Sequence, residues 1–358
     1  MEFLYTPEQV EFRDAIRRFL MVEAAPEFLR EIWETDSGRS PLLRQRLAEQ
    51  GLTAVSVSES LGGLGLNDVT WCLLMQELGY FAIPDSLVDS AYLGVSALQD
   101  ALPLVGDQDR HALETLLSQI AAGSLRVAIR HPVNRWVADA ANAGLLIWFD
   151  EQGMALLSPG EFEQIPQPSL DLSRRISAVT AQPLRRLLPP VHSEAVMRMV
   201  EARGSQSVAA QLVGLAQRML DLAIDYTSGR KQFGKPIGSF QAVKHLLADV
   251  ATSIEFSKPA VAYSAAALAA QDPAALQAVR HAKLLATECS LMAARNTLQA
   301  HGAMGYTWEV DLQMFMKRAW VLAGWWGDSL HHQQALWADL STQSSAWAIN
   351  RGIGLTHA

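Results

Sequence analysis

The chain has 358 residues, a formal charge of −8, 49% apolar and 18% charged residues. That length exceeds one simple core and fits two or three domains, and the apolar share supports a large folded interior. The acidic balance, with a pI near 5.6, argues against a nucleic-acid binder, whose phosphate contacts need a basic face.

The first helix is marked by Thr6-Pro7-Glu8-Gln9, with Thr as N-cap, Pro at the first helical position and acid in the first turn. The preceding residues hold no basic segment followed by an apolar run, so no signal peptide is expected. Val10, Phe12, Ile16 and Phe19-Leu20 continue at helical spacing. A second helix is expected over about 40–50, stopped by Gly51. Ser60 to Gly65 reads as a loop, and helices follow at about 67–81, 86–99 and 107–121.

Short β-like segments then replace the helices: Leu125–His131, Gly144–Asp150, Gly153–Ser158 and Ile176–Ala181. Pro183 to Pro190 reads as a linker. From about 193 the chain turns helical again, with Leu212, Val213, Ala216, Met219, Leu220, Ala223 and Ile224 on one stripe. Further helices are expected at about 240–270, 273–300 and 328–346. Long helices with short connections imply an up-and-down bundle. No apolar run of about 18–20 residues is present to span a bilayer.

Cys72 and Cys289 lie in apolar helical text outside any metal or CxxC spacing, as reduced core thiols would, and sparse cysteine fits the cytoplasm. No metal site is expected. His331-His332 are adjacent and point to different sides of a helix, and His245, His281 and His301 are scattered.

Two turns carry the most chemistry. One is Arg230-Lys231-Gln232-Phe233-Gly234-Lys235-Pro236-Ile237-Gly238-Ser239-Phe240-Gln241, and the other is Gln299-Ala300-His301-Gly302-Ala303-Met304-Gly305-Tyr306. With Gly62-Gly63-Leu64-Gly65, Glu77-Leu78-Gly79, Tyr226, Leu247-Ala248-Asp249 and Lys317-Arg318, they resemble the acyl-CoA dehydrogenase family over essentially the whole chain. The resemblance is weakest at 125–190. It implies a mainly α fold with a small β domain: an N-terminal helical domain (1–122), a shortened middle β domain (123–190) and a C-terminal four-helix bundle (191–358).

It also implies flavin-dependent α,β-dehydrogenation of an acyl-CoA thioester. A carboxylate takes the α proton while FAD takes the hydride. Arg230, Gln232, Phe233, Gln299 and Gly302 match the residues that reach the FAD of a neighbouring subunit. Pyrophosphate needs such charge-assisted and backbone donors. Read without the resemblance, Arg230 is a surface arginine, Gly302 and Gly305 shape a turn, Gln241 is a bundle hydrogen-bond partner, and His301 is a hydrogen-bonded turn histidine. Lys317 and Arg318 then pair with Glu309 or Asp311.

Three departures stand out. The middle domain lacks the family's Thr-Glu-Pro-x-Ala-Gly-Ser-Asp type segment, and Ala128 to Val133 offers no equivalent. The Tyr-Glu-Gly segment that carries the base is matched by Trp325-Trp326-Gly327. The alternative base position before the arginine turn is matched by Gly204. Glu201 and Asp328 are the nearest carboxylates, and each also reads as a solvated surface acid.

Some bacterial members of the family, known especially from steroid side-chain degradation, are α2β2 heterotetramers in which one chain keeps the flavin pocket. The other keeps the turns that clasp its neighbour's FAD. This chain resembles that second type, active only with a partner chain, and the family passes electrons to an electron-transfer flavoprotein. A non-catalytic scaffold subunit, a flavin monooxygenase and a self-sufficient homo-oligomeric dehydrogenase are the alternatives. Trp320, Trp325, Trp326 and Trp337 read as packing or as the filling of a vacated acyl pocket.

Overall fold

The computed structural model describes residues 5–350, so residues 1–4 and 351–358, the outer ends of the first and last expected domains, lie outside the described residues. Thr6 opens α1 (Pro7–Glu23) with a reciprocal cap. Its hydroxyl accepts from Gln9 N at 3.3 Å, and the Gln9 side chain accepts from Thr6 N at 3.0 Å. Next come α2 (Pro26–Glu34), which buries Leu29 and Ile32, and α3 (Pro41–Glu49), capped by Ser40. Helix α4 (Asp68–Tyr80) is capped by the Asn67 side chain and buries residues on all sides. Such a helix belongs at the centre of a fold. A π-helical stretch, Val88–Gly94, runs straight into α5 (Val95–Ala101), and α6 (Asp107–Ala121) completes the N-terminal part.

The middle region holds two small sheets. In the first, β1 (Val127–Arg130) runs parallel to β3 (Leu145–Asp150), which pairs antiparallel with β4 (Gly153–Leu157). In the second, β2 (Val137–Ala138) and β5 (Glu163–Gln167) flank β6 (Ile176–Thr180), both antiparallel. Leu146, Trp148, Ala155 and Leu157 pack with Val137 into a core of their own. Met154 N donates to Leu188 O at 2.9 Å, tying the expected linker to the sheet.

The remaining helices are α7 (Pro190–Gly229), α8 (Gln241–Ala269), α9 (Ala275–His301), α10 (Leu312–Ala323) and α11 (Ser329–Asn350). Helix α7 has 40 residues and is about 60 Å long. It joins α8, α9 and α10 in a bundle that also packs on α4, while α11 lies on α9. The expected stripe on α7 is buried from Leu212 to Ala223, but Ile224 is exposed. Helix α4 meets α7 backbone to backbone. A Cβ on Gly214 would sit 2.0 Å from Gln76 O, and one on Gly79 would sit 2.3 Å from Gln211 O. Only glycine permits that approach. Among the described residues no helix is long and apolar enough to cross a membrane.

Candidate functional site

Helix α7 ends at Gly229, and the chain reverses in a narrow ribbon of β7 (Lys231–Gln232) and β8 (Lys235–Pro236). The two turn residues, Phe233 and Gly234, both have positive φ, +53° and +79°. This is the primed hairpin turn that suits the twist of its strands. Glycine adopts it freely, but for phenylalanine the left-handed region costs roughly 1–2 kcal/mol. Phe233 is 91% exposed, and its ring meets Phe240 edge-on with the centroids 6.2 Å apart. Arg230 and Gln232 are exposed too, and neither side chain bonds to any described residue.

The second turn ends α9. Gly302 has φ +59° and ψ −139°, a conformation reserved for glycine. A Cβ placed there would meet nothing within 4 Å, so the turn faces open space. Gln299 is exposed. His301 is buried, with Nδ1 2.7 Å from Thr297 O, and burial lowers its pKa. Its ring stacks on Tyr226 of α7 at 4.5 Å and 19°. That stack joins the ends of α7 and α9, so the two turns sit side by side. Arg230, Gln232, Phe233, Gln299 and Gly302 thus share one end of the bundle.

The inner region is built oppositely. Where the middle sheets meet α7 and α10, a cavity of about 50 Å3 remains. Charged side chains surround it. Arg39 Nε pairs with Asp139 at 2.8 Å. Asp85 sits between Arg44 at 2.7 Å and Arg126 at 2.9 Å. Arg318 pairs with Asp171 and donates to the Ser173 hydroxyl. Burial pushes Asp171 upward, but Arg318, Ser173 and Arg174 outweigh it and hold the carboxyl below its ordinary value. The same balance, with Arg44, Arg126 and Arg39, lowers Asp85. Asp89 differs: burial dominates, and its carboxyl is pushed up to about 7 despite Arg174. The sequence reading expected Glu309 or Asp311 as partners of Lys317 and Arg318. Instead Asp311 pairs with Arg30, and Lys317 bonds to Gln313 and lies over the Trp308 ring.

Trp326 closes this cavity. Its indole lies on Gly204, where an added Cβ would come within 2.3 Å of Cδ2. The two positions that match the family's alternative bases therefore pack against each other, indole on glycine. Trp326 has φ +55° and is 1% exposed. Its N–H donates to Asn134 Oδ1 at 2.9 Å, and its carbonyl accepts from Ser205 Oγ at 2.8 Å and from His332 Nε2 at 3.0 Å. Lys283 Nζ donates to Ala323 O and Gly327 O at 2.9 and 3.1 Å, and burial lowers it to about 7. Trp325 also lines the cavity, whereas Trp320 and Trp337 are exposed.

Glu201 pairs with His331 Nε2 at 2.9 Å, and Asp328 caps α11 by accepting from His331 N at 2.8 Å. Neither lines the inner cavity. Both cysteines are buried free thiols, and burial raises the pKa of each. No cluster of three metal-ligating side chains occurs among the described residues.

FAD fits one of these regions and not the other. A cavity of about 50 Å3 does not enclose a three-ring isoalloxazine, since ligand pockets run to roughly 300–1,000 Å3. The outer turns fit a cofactor lying beyond the chain's own surface, because their donors point outward without partners.

Comparison with known proteins agrees with this architecture. Residues 6–102 match the acyl-CoA dehydrogenase N-terminal domain, and residues 195–333 match the acyl-CoA dehydrogenase C-terminal domain. Acyl-CoA dehydrogenase IpdE2 from Mycobacterium tuberculosis is 30% identical over 316 residues, covering 87% of this chain and 91% of that relative. Two solved structures share the fold. The Tcur3481-Tcur3483 steroid ACAD has a TM-score of 0.81 at 22% identity, covering 95% of this chain and 99% of that one. The ChsE4-ChsE5 complex from Mycobacterium tuberculosis also has 0.81, at 18% identity, with 95% and 99% covered. By fold, by both end domains and by this level of identity, the chain belongs to the acyl-CoA dehydrogenase family.

Proposed function

We propose that this chain is the flavin-clasping subunit of a cytoplasmic acyl-CoA dehydrogenase that works with a second, flavin-holding chain in an α2β2 assembly. One observation carries the reading: the outer turn is open and unpartnered while the inner cavity is too small for a flavin ring. Arg230 and Gln232 would bond the diphosphate of the partner-held FAD, Phe233 would cover it, and Gln299 with the Gly302 backbone would complete the clasp. FAD, when bound, accepts the hydride from the acyl thioester. This chain's own residues bind and orient it, and an electron-transfer flavoprotein is the proposed acceptor. The α proton is taken in the partner, because Trp326 and Gly204 hold no acceptor and Glu201 and Asp328 are committed to His331. Two fold relatives named as a pair or a complex support a two-chain arrangement.

The test is the flavin content of the chain purified alone and with a dehydrogenase chain from its own genomic neighbourhood. The expected result is a colourless chain alone and a yellow heterotetramer with one FAD per pair. Arg230→Ala should then release FAD while leaving the assembly intact. A yellow homo-oligomer with one FAD per chain defeats the proposal. The small cavity also favours a second reading, a scaffold subunit without cofactor contacts. In that case Arg230→Ala leaves FAD content unchanged.

A further inference from the structure

The inner cavity is closed to flavin, yet its polar wall is incomplete. The ion pairs around it use Arg39 with Asp139, Arg44 and Arg126 with Asp85, and Arg318 with Asp171. Two facing groups are left over, Arg174 and Asp89. The Arg174 guanidinium carbon lies over the Trp325 ring, 4.4 Å from its centroid. Its Nε and Nη2 are shut off from solvent and bond to nothing. These two nitrogens form the edge that receives a planar carboxylate in two parallel hydrogen bonds. Trp326 also lines the cavity, and its Nε1 is a further buried donor without a partner. With Arg175 Nε, the residues lining this cavity carry four orphaned donors, and such donors call for an acceptor, because an unmet buried donor costs about 1–3 kcal/mol.

Size and charge narrow the occupant. A volume of about 50 Å3 admits roughly three to five water-sized positions at roughly 10–15 Å3 each. That is the size of formate or acetate and below that of an aromatic or long-chain acid. Asp85 serves two arginines, so the surrounding pairs leave a positive surplus that a monoanion matches.

We propose that the cavity binds one small planar monocarboxylate, held by the open edge of Arg174 and by Trp326 Nε1. The site lies within this chain, so it depends on neither FAD nor the partner. Asp89 makes binding proton-linked. Its carboxyl faces Arg174, Asp139 and Arg39, with Asp85, Arg175 and the Arg318–Asp171 pair on the other walls. Arg39 and Asp139 offset each other. Ionised Asp89 repels the guest and protonated Asp89 does not, so affinity rises as pH falls through about 7.

The experiment is calorimetric titration of the full chain with sodium formate, sodium acetate and sodium benzoate, at about pH 6 and about pH 8. Formate and acetate should saturate one site per chain, more tightly at the lower pH, and benzoate should not bind. Trp326→Phe keeps the ring on Gly204 and removes one donor, and it should weaken formate by about tenfold. Arg174→Gln should abolish saturable binding. Absence of saturable formate binding to the wild-type chain overturns the proposal, and so does unchanged affinity in Trp326→Phe. A crystal grown in formate that shows only waters against Arg174 overturns it as well. FAD content enters none of these readouts, so the heterotetramer reading stands or falls separately.

Discussion

The two ends of this molecule use polar residues in opposite ways. At the inner junction of middle sheets and bundle, most charges are buried in ion pairs, Arg174 and Asp89 excepted, and the Trp326 indole packs on Gly204 beside them. At the outer turns, an arginine, a glutamine and a phenylalanine stand in solvent, with the phenylalanine in a conformation that costs energy. Buried pairs specify the docking of domains, and breaking one is expensive. Exposed, unpartnered and strained residues add nothing to the stability of the isolated chain. Strain that persists on a surface is a hypothesis of function. The inner region is therefore read as structure that replaced chemistry, and the outer region as chemistry that structure tolerates.

The sharpest way to break this contrast is at the inner network. Arg318→Met leaves Asp171 buried without its cation, and with it the bonds to Ser173, Ile83 O and Ala82 O. A loss of about 3–5 kcal/mol in urea unfolding is expected. An unchanged midpoint would mean that the network does not hold the domains together.

Asp89→Asn probes the one carboxylate in that network without a partner. Burial raises its folded pKa to about 7, well above an unfolded value of about 4. The folded state thus binds the proton more tightly. Through this group stability is greatest at acid pH, declines as pH rises from about 4 to about 7, and stays low above. In buffer free of small carboxylates, Asp89→Asn should flatten that decline and gain on the order of 2–4 kcal/mol at about pH 8 relative to about pH 4. Denaturant titrations across pH check it, and a variant that parallels the wild type at every pH removes Asp89 from the account.

Gly204→Ala tests the indole-on-glycine contact. The new methyl would overlap the Trp326 ring, and overpacking of this kind costs about 1–3 kcal/mol. Near-ultraviolet circular dichroism should report the displaced tryptophan, and an unperturbed spectrum would contradict the packing.

What the sequence made legible follows from how local each signal is. The Thr6 cap, the Gly51 stop and the α4 boundaries are contiguous signals, and they agree with the structure. Helix α2 was hidden by Pro26 directly after α1, and α10 by a start without a side-chain cap and a buried face that includes Arg318. Strand β2 has two residues and β5 is polar, mostly exposed and interrupted by Pro166, so neither carries a pattern to find. The same rule divides the site. The outer turns are continuous text. The inner cavity joins Arg39 to Asp139 across 100 positions and Arg318 to Asp171 across 147, and no spacing rule reaches that far. The orphaned donors of Arg174 and Trp326 were not readable at all, because absence of a partner is a property of packing.

The smallest expected effect discriminates best between the two regions. Phe233 holds φ +53° and is almost wholly exposed, so in the isolated chain it contributes strain and little packing. Asparagine accepts the left-handed region and pairs well with Gly234 in a primed turn. Phe233→Asn should therefore stabilise the isolated chain by up to about 1 kcal/mol. In the proposed two-chain assembly the same change should loosen FAD, seen as faster flavin release on dilution. A residue kept only for packing would show the reverse pattern, a loss of stability with no change in flavin release. Opposite signs in the two measurements would mark Phe233 as held in place for something outside its own chain.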